Sequence, residues 1–440
     1  MKRVERSPDR SEQLSRADAS NVALDSPDQV NAFLMAGVLG RGGFVDADGV
    51  ADLGTLREIL SHRIGSDRGL RRLRQQVGAQ NGLLGRGLVW RSSPPDLSWH
   101  VRLADPVSGL TGLARFCATL MTTAMPMDRP LWELLVVPGA APEGPGIVLR
   151  VHHAVADGVA MVHLAQRLFD TPEPPTPTPP TPPGTLRTST PRVQGTPPPR
   201  GIAHSLATGI RRVGALARNT VPATPLLGQI GPHRGIALCE VDVSSVARGS
   251  AAAGGTVNDA LLAATAHAVG TMLHQTGNTV PQVLPVSVPV ALPERGTSGN
   301  AVGVMLVPLP TDEPDPAVRI ARIAQVTGAA KVRAREQGTL ELTRTRWGTR
   351  LFAALARRQR LVAFFVTNVR GPSRPLQLAG ARLEHAWPIT AIQGNVRLGV
   401  AAFSYAGHLA CAVHADAEVL DYELLGRALA AELARIATLG

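Results

Sequence analysis

Short runs of apolar, often β-branched residues recur along the chain and predict strands, because such side chains suit a pleated, half-buried surface. These runs cover residues 147–151, 236–243, 283–290 and 301–309. Two further runs, 400–405 and 409–414, flank the tripeptide Ala406-Gly407-His408. Their spacing predicts an antiparallel hairpin that turns at this tripeptide.

Apolar residues at helical spacing predict amphipathic helices between the strands. The segments are 159–169, an Ala-rich run over 260–273, and 422–439 near the end of the chain. Thr256 or Asn258 can cap the second helix, since a short side-chain oxygen accepts hydrogen bonds from the first amides of a helix. The sequence therefore predicts a mixed α/β fold on both sides of the middle of the chain.

Proline-rich sequence divides the chain in two. Proline fixes φ and removes a backbone donor, so the dense prolines of residues 171–199 exclude a helix or an interior strand. A chain of 440 residues is also too long for one ordinary core. We predict an N-terminal lobe over 1–170, an extended linker over 171–200, and a C-terminal lobe over 201–440.

Composition narrows the function classes. The chain is 44% hydrophobic and 18% charged, typical of a globular protein, and no apolar run reaches the ~18 residues of a spanning helix. Its net charge of +11 comes almost wholly from arginine, but aromatics make up only 3% and no nucleic-acid motif is visible. The polar N-terminus predicts no secretory signal, and three widely spaced cysteines predict reduced thiols without metal ligation, so we expect a cytoplasmic protein.

The candidate chemistry lies in His152-His153-Ala154-Val155-Ala156-Asp157-Gly158, directly after a predicted strand. A histidine at a strand end can project into a cleft, and an imidazole takes a proton from a hydroxyl near neutral pH. Asp157 can brace the turn through an arginine or backbone amides, and Gly158 permits a backbone conformation that other residues avoid. A histidine pair alone equally fits a surface or core role, so the motif needs its context.

That context is a set of segments in a characteristic order. They are LSRAD at residues 14–18, RPLWE at 129–133, IGPHR at 230–234, GTVND at 255–259, GNAVG at 299–303, VPLPT at 307–311 and TNVRGP at 367–372. With the HHxxxDG motif, this order resembles the bacterial wax ester synthase/acyl-CoA:diacylglycerol acyltransferase family. The resemblance spans nearly the whole chain.

The resemblance implies the two-lobed chloramphenicol acetyltransferase-like α/β fold, with mixed sheets, flanking helices and a tunnel between the lobes. It implies transfer of a fatty acyl group from acyl-CoA to diacylglycerol or a long-chain alcohol, without a cofactor or a metal. His153 is the implied general base, and His152 orients it or packs. Asp157 is implied to be structural and to pair with an arginine, for which Arg74 and Arg102 are candidates.

The same resemblance implies roles at the substrate site or the interface between the lobes. The residues concerned are Trp132, Asn258, Asp259 and Asn368. For Asn258, an interface or capping role is favoured over an oxyanion contact, and for Trp132 a place in the core or the tunnel wall. The segment around Asn368 is expected to cross between the lobes.

Some positions depart from the family pattern. Thr367 and Arg370 replace the serine and first proline of the usual SNVPGP, and Leu227 replaces an asparagine. These changes leave the base intact but put the usual substrate fit in question. Two alternatives therefore stay open: a condensation-domain-like or polyketide-associated enzyme that uses carrier-bound acyl groups, and a catalytically silent lipid-binding relative.

An arginine-rich stretch runs from Lys331 to Arg360, with leucines and Phe352 at helical spacing. A solvated helix that packs its apolar face on the second lobe is the favoured interpretation, since amphipathicity mostly reports contact with a core. The alternative is a peripheral contact with anionic lipid at the inner membrane face or a lipid inclusion, through which insoluble substrates could enter.

Overall fold

Two six-stranded sheets organise the computed structural model, which describes residues 11–26, 29–82, 85–169, 220–291, 302–337 and 358–440. The predicted linker, 171–200, lies outside these residues. The strands are β1 (Glu12–Gln13), β2 (Ala32–Leu39), β3 (Gln75–Gly82), β4 (Gly85–Ser92), β5 (Val101–Leu103), β6 (Trp132–Ala141), β7 (Gly144–His152), β8 (Arg234–Asp242), β9 (Val283–Ala291), β10 (Val302–Pro310), β11 (Phe364–Arg370), β12 (Gln377–Leu378), β13 (Ala381–Ile389), β14 (Leu398–Tyr405) and β15 (His408–Asp416).

Helices flank both sheets. They are α1 (Arg16–Leu24), α2 (Leu53–Ser66), α3 (Leu97–His100), α4 (Gly109–Leu120), α5 (Gly158–Leu168), α6 (Val243–Ala252), α7 (Val257–Gln275), α8 (Pro316–Gln337) and α9 (Tyr422–Ala437), with a 3₁₀ helix at Arg68–Arg74. The strands predicted at 147–151, 236–243, 283–290 and 301–309 are confirmed within one to three residues at each end by β7, β8, β9 and β10. The predicted helices correspond to α5, α7 and α9.

Strand order defines the two lobes. The first sheet has the order β12-β13-β2-β7-β6-β5, the second has the order β10-β9-β11-β14-β15-β8, and a small third sheet has the order β1-β4-β3. Helices α2 and α5 pack on the first sheet, and α6, α7 and α9 pack on the second. A further buried cluster joins the lobes, where Leu113 of α4 lies with Ile236 of β8 and Ala412 of β15.

The lobes are not contiguous in sequence. Strands β12 and β13 fall within 201–440, the range predicted for the second lobe, yet β13 pairs antiparallel with β2 of the first sheet, with Trp387 opposite Ala36. The division predicted at the linker is therefore corrected for residues 377–389. Without β13, the apolar strand β2 would be an exposed sheet edge with unpaired amides, an arrangement that proteins avoid. Alternation along a strand does not reveal which sheet it joins.

Two local predictions are confirmed in detail. The hairpin of β14 and β15 turns at Ala406 and Gly407, whose φ angles of 48° and 92° suit the left-handed turn that matches strand twist. Thr256 caps α7 in a capping box: it accepts a hydrogen bond from the Asp259 amide, and the Asp259 carboxylate accepts one from the Thr256 amide. Asn258, the other candidate, is not the cap.

The arginine-rich stretch is described only in part. Helix α8 extends to Gln337, residues 338–357 lie outside the described part of the chain, and Arg358 and Arg360 are exposed. Among the described helices, none is long and apolar enough to cross a membrane.

Candidate active site

Strand β7 delivers the histidine pair to the end of the first sheet. His152 is its last residue and lies opposite Ala32 of β2, and its amide donates to the carbonyl of Leu131. β7 is buried along its whole length, so the backbone behind the pair is rigid. The predicted placement of the pair, at a strand end that leads into a turn, agrees with this geometry.

His152 is fully buried and its ring orientation is set by two contacts. The Ala154 amide donates to Nδ1 at 3.0 Å, so Nδ1 is an acceptor and the ring hydrogen of the neutral imidazole is on Nε2. Nε2 lies 3.6 Å from Oδ2 of Asp25, a carboxylate at the end of α1 whose side chain is 8% exposed. His152 therefore braces the turn and faces a buried negative charge.

His153 is held through its backbone, and its ring lies against that of Phe33. Its amide donates to the carbonyl of Asn31 at 2.9 Å, and its carbonyl accepts from the side-chain amide of Asn21 at 3.2 Å. The imidazole is half-buried, and its centroid lies 4.4 Å from that of the Phe33 ring. Burial, with a smaller contribution from His152, lowers the pKa of His153 to about 4, so the ring is neutral at pH 7.

Asp157 and Gly158 begin helix α5. The Asp157 carboxylate caps the helix by accepting from the Ala160 amide at 2.8 Å, which agrees with the predicted bracing through backbone amides. The two arginines suggested as its partners bond elsewhere: Arg102 bonds Glu133 at 2.7 Å, and Arg74 donates to the carbonyl of Gly65.

The expectation for Gly158 is corrected. Its φ is not among the positive values of the described glycines, so no unusual backbone conformation requires it. A Cβ at this position would lie 3.4 Å from Cγ2 of Val369 on β11, which is van der Waals contact between the two lobes. Packing therefore does not require glycine here either.

An apolar cavity of about 50 Å³ lies between the lobes at the start of α5; His153 is not among its lining residues. Its walls come from β2, α5, the end of β13, β11 and β14. The lining residues include Phe33, Leu34, Met35, Gly158, Met161, Val162, Thr367, Val369, Pro388, Ile389, Thr390 and Phe403. Phe33 also contacts the His153 ring, so the cavity and the imidazole share a wall.

Buried charge lies behind the site in the first sheet. Glu133, the last residue of the RPLWE segment, bonds Arg150 at 2.8 Å, and both side chains are at most 3% exposed. Arg150 and His152 are two residues apart on β7 and so project to the same face. Burial lowers the pKa of Arg150, and the carboxylates of Glu133 and then Asp25 oppose that shift.

Of the four residues assigned to the substrate or the lobe interface, Trp132 and Asp259 are buried. Trp132 is fully buried, donates from its indole to the carbonyl of Leu73 at 3.0 Å, and stacks on His100. Asp259 is 2% exposed, and its carboxylate accepts from Thr256 and from the Thr327 hydroxyl at 2.7 Å. Trp132 therefore lies in the core of the first lobe, and the Asp259 carboxylate has its contacts inside the second lobe; a substrate or interface role for Asp259 stays a prediction.

Asn258 and Asn368 do not line the cavity. Asn258 lies half-buried in the first turn of α7. Asn368 lies on β11 between Thr367 and Val369, both of which do line the cavity, and alternation along a strand turns it to the other face. The segment around it does lead into the lobe crossing, since β12 and β13 follow directly. A substrate role for either asparagine stays a prediction.

Asn21, Asp25 and Asn31 contact the histidine turn without having been singled out in the sequence. They belong to α1 and the segment after it, more than a hundred residues before the motif. The only sequence signal was the LSRAD segment at the start of α1, which marked the region but not these side chains. Within the described residues, no cluster of His, Cys, Asp or Glu could hold a metal ion.

Comparison with known families decides the identity. Residues 14–261 match the wax ester synthase/diacylglycerol acyltransferase catalytic domain, and residues 298–437 match the C-terminal domain of the same family. The chain belongs to this family. The family membership predicted from the order of the motifs is thereby confirmed. The prediction that the protein is an acyltransferase is confirmed with it.

Individual relatives and solved structures resemble this chain in sequence and in fold. A probable diacylglycerol O-acyltransferase of Mycobacterium tuberculosis is 29% identical over 377 residues, which are 79% of this chain and 81% of that protein. The wax ester synthase/diacylglycerol acyltransferase of Marinobacter aquaeolei VT8 superposes with a TM-score of 0.70 at 23% identity, over 97% of this chain and 99% of that one. Polyketide synthase associated protein 5 of M. tuberculosis gives 0.56 at 15% identity, over 97% and 98%. The predicted two-lobed fold is confirmed.

Proposed function

We propose that this protein transfers a fatty acyl group from acyl-CoA to the hydroxyl of diacylglycerol or a long-chain alcohol, with His153 as general base. The observation that carries the proposal is the half-buried imidazole of His153, which shares Phe33 with an apolar cavity between the lobes. The names of the M. tuberculosis and Marinobacter relatives, a probable diacylglycerol O-acyltransferase and a wax ester synthase/diacylglycerol acyltransferase, support the same substrates.

The chemistry needs one neutral imidazole. His153 accepts the proton of the acceptor hydroxyl as its oxygen attacks the thioester carbonyl, and the imidazolium then protonates the departing CoA thiolate. An ester and free CoA are the products, so atoms and charge balance without a covalent acyl-enzyme. Because burial holds the pKa of His153 to about 4, the ring is ready to accept a proton at pH 7 and returns it readily to the leaving group.

The apolar cavity supports a fatty acyl chain or an acceptor chain as its occupant. Its lining side chains are apolar except for those of Thr367 and Thr390. Its volume is about 50 Å³. Burial of the methylene groups of a long chain in this apolar lining would contribute about 0.8 kcal/mol each to binding.

Release of CoA thiol tests the proposal. Purified full-length protein is given palmitoyl-CoA with diolein or with hexadecanol, and thiol is measured together with the ester product. We expect His153→Ala to abolish both signals. His163→Ala, which removes an exposed histidine from α5 of the same motif region, is the matched control and should keep wild-type activity.

Three results would contradict parts of the proposal. Equal activity of wild type and His153→Ala would remove this histidine as the base. Turnover only with acyl groups on a carrier protein would favour the condensation-domain-like alternative. Acyl-CoA binding without turnover by any acceptor would favour the catalytically silent one.

We also propose a peripheral contact with anionic lipid, at a membrane or a lipid inclusion. The insolubility of diacylglycerol and the exposed Arg358 and Arg360 support it. Flotation with anionic vesicles should carry the protein upward, and neutralising Arg357, Arg358 and Arg360 together should weaken that binding. Flotation unchanged by the triple variant would discard these arginines as the contact.

A further inference from the structure

The segment from α1 to Asn31 holds the histidine turn from behind. Asn31 accepts the His153 amide through its carbonyl, and Asn21 donates to the His153 carbonyl. The two asparagines are themselves joined, since the Asn31 side-chain amide donates to the Asn21 carbonyl at 2.9 Å. Both backbone polar groups of His153 therefore bond to this one segment.

Asp25 lies at the centre of that segment, and each of its oxygens faces a different part of the turn. Oδ1 accepts from the Asn31 amide at 2.8 Å, and Oδ2 lies 3.6 Å from Nε2 of His152. The carboxylate is 8% exposed and His152 is fully buried, so water screens the charge only weakly. The negative charge of Asp25 also favours the charged form of the buried Arg150 guanidinium.

We propose that Asp25 is a positioning residue that fixes the direction of the His153 imidazole by holding His152 as its Nε2–H tautomer. The inference rests on His153 being the base. The carboxylate favours a hydrogen on Nε2, which leaves Nδ1 as the acceptor for the Ala154 amide. The turn is then fixed on one side of His153 by His152 and Ala154, and on the other by Asn31.

The opposite tautomer would undo this arrangement. With its hydrogen on Nδ1, His152 would present a donor to the Ala154 amide and a lone pair to the Asp25 carboxylate, so both contacts would become repulsive. Ala154 directly follows His153, so the base would lose one of the contacts that hold its backbone. A displacement of about 1 Å at a reacting group can cost on the order of 100-fold in rate.

Asp25→Asn removes the negative charge of the side chain and nearly keeps its shape. The variant keeps an oxygen for the Asn31 amide but places an NH₂ group opposite the Nε2–H of His152. We expect kcat to fall on the order of 10- to 100-fold. KM for acyl-CoA and for the acceptor should stay within about twofold, because Asp25 lies behind the turn and outside the cavity.

Two further variants give the comparison its controls. Asp25→Glu keeps the carboxylate and should recover most of the kcat lost in Asp25→Asn. Asp46→Asn removes a carboxylate that accepts the amides of Asp48 and Val50 in an exposed turn of the same lobe, and should leave kcat unchanged. Wild-type kcat in Asp25→Asn would overturn the proposal, as would equal losses in Asp25→Asn and Asp25→Glu.

The tautomer is also measurable in the wild-type protein, and a variant is needed only to assign the His152 resonances. In ¹⁵N-histidine-labelled protein, the resonances absent from His152→Gln should report a neutral ring with its hydrogen on Nε2. A hydrogen on Nδ1 would overturn the proposal. Activity in His153→Ala would instead refute the base, whereas an inactive His153→Ala beside a fully active Asp25→Asn refutes only the role of Asp25.

Discussion

Tyr405 anchors the lobe crossing with a single buried hydroxyl. It lies on β14 of the second sheet, is 3% exposed, and donates to the carbonyl of Leu383 at 2.6 Å. The same oxygen accepts from the Leu376 amide at 2.9 Å. These two backbone groups bracket β12 and the start of β13, the strands that the second half of the chain contributes to the first sheet.

Tyr405→Phe removes the hydroxyl and leaves a buried N–H and a buried C=O without their partner. Each such group costs about 1–3 kcal/mol, so the change should destabilise the crossing by about 2 kcal/mol or more. The hydrogen bond from the Leu383 amide to the Leu376 carbonyl, 2.9 Å long, remains and limits the loss. Since 1.36 kcal/mol corresponds to a factor of ten, local opening should become about thirtyfold more frequent.

Amide hydrogen exchange measures this opening directly. Peptides over 376–389 should exchange about thirtyfold faster in Tyr405→Phe, whereas peptides from α7 should not change. Tyr422→Phe is the matched control, because the only other tyrosine of the chain reaches Glu423 with its hydroxyl at 3.5 Å on the surface. Unchanged protection over 376–389 would refute the view that this hydroxyl holds the crossing.

Two other perturbations test buried ionisable groups, namely His414 and the Glu133–Arg150 ion pair. Burial lowers the pKa of His414 to about 4, so below about pH 6.5 the unfolded chain binds a proton at this histidine that the folded protein does not. The contribution of His414 to the free energy of unfolding should therefore fall by about 2 kcal/mol between pH 7 and pH 5. In urea titrations at each pH, the total fall should be smaller by about that amount in His414→Gln. Glu133→Gln should lower the same free energy by about 3–5 kcal/mol at pH 7, because it leaves Arg150 buried without its counter-charge, whereas Glu423→Gln, which breaks an exposed pair, should change it by less than about 1 kcal/mol.

Local pattern predicted the elements well because each depends on residues close in sequence. The hairpin at Ala406 and Gly407 and the cap at Thr256 follow from turn and cap chemistry within a few positions. The histidine pair at the end of β7 follows in the same way from a strand run and a glycine. The order of the motifs then predicted the family, and the family resemblance predicted the two-lobed fold.

Other features depend on contacts that no local pattern encodes. The partner of β13 is set by the open edge of β2, more than three hundred residues earlier. Asp25 and Asn31 are ordinary polar residues in sequence, and only folding brings them to the histidine turn. The contact of Asp259 with Thr327 could not be predicted for a related reason: Thr327 lies on another helix, 68 residues later in the chain.

The lobe crossing also determines which wall of the cavity can open. Pro388 and Ile389 are paired in the ladder of β13 with Met35 and Leu34 of β2, so these four lining residues move as one sheet with Phe33 and the histidine turn behind it. Separating β13 from β2 would break buried backbone hydrogen bonds. Among the described residues, the opposite wall, β11 and β14, shares no strand ladder with this sheet; it meets the sheet through contacts such as Val369 against Gly158 and, at the far end of β13, through the Tyr405 hydroxyl. We therefore expect a long acyl chain to enter by displacing β11 and β14 from the first sheet, while the base keeps its place.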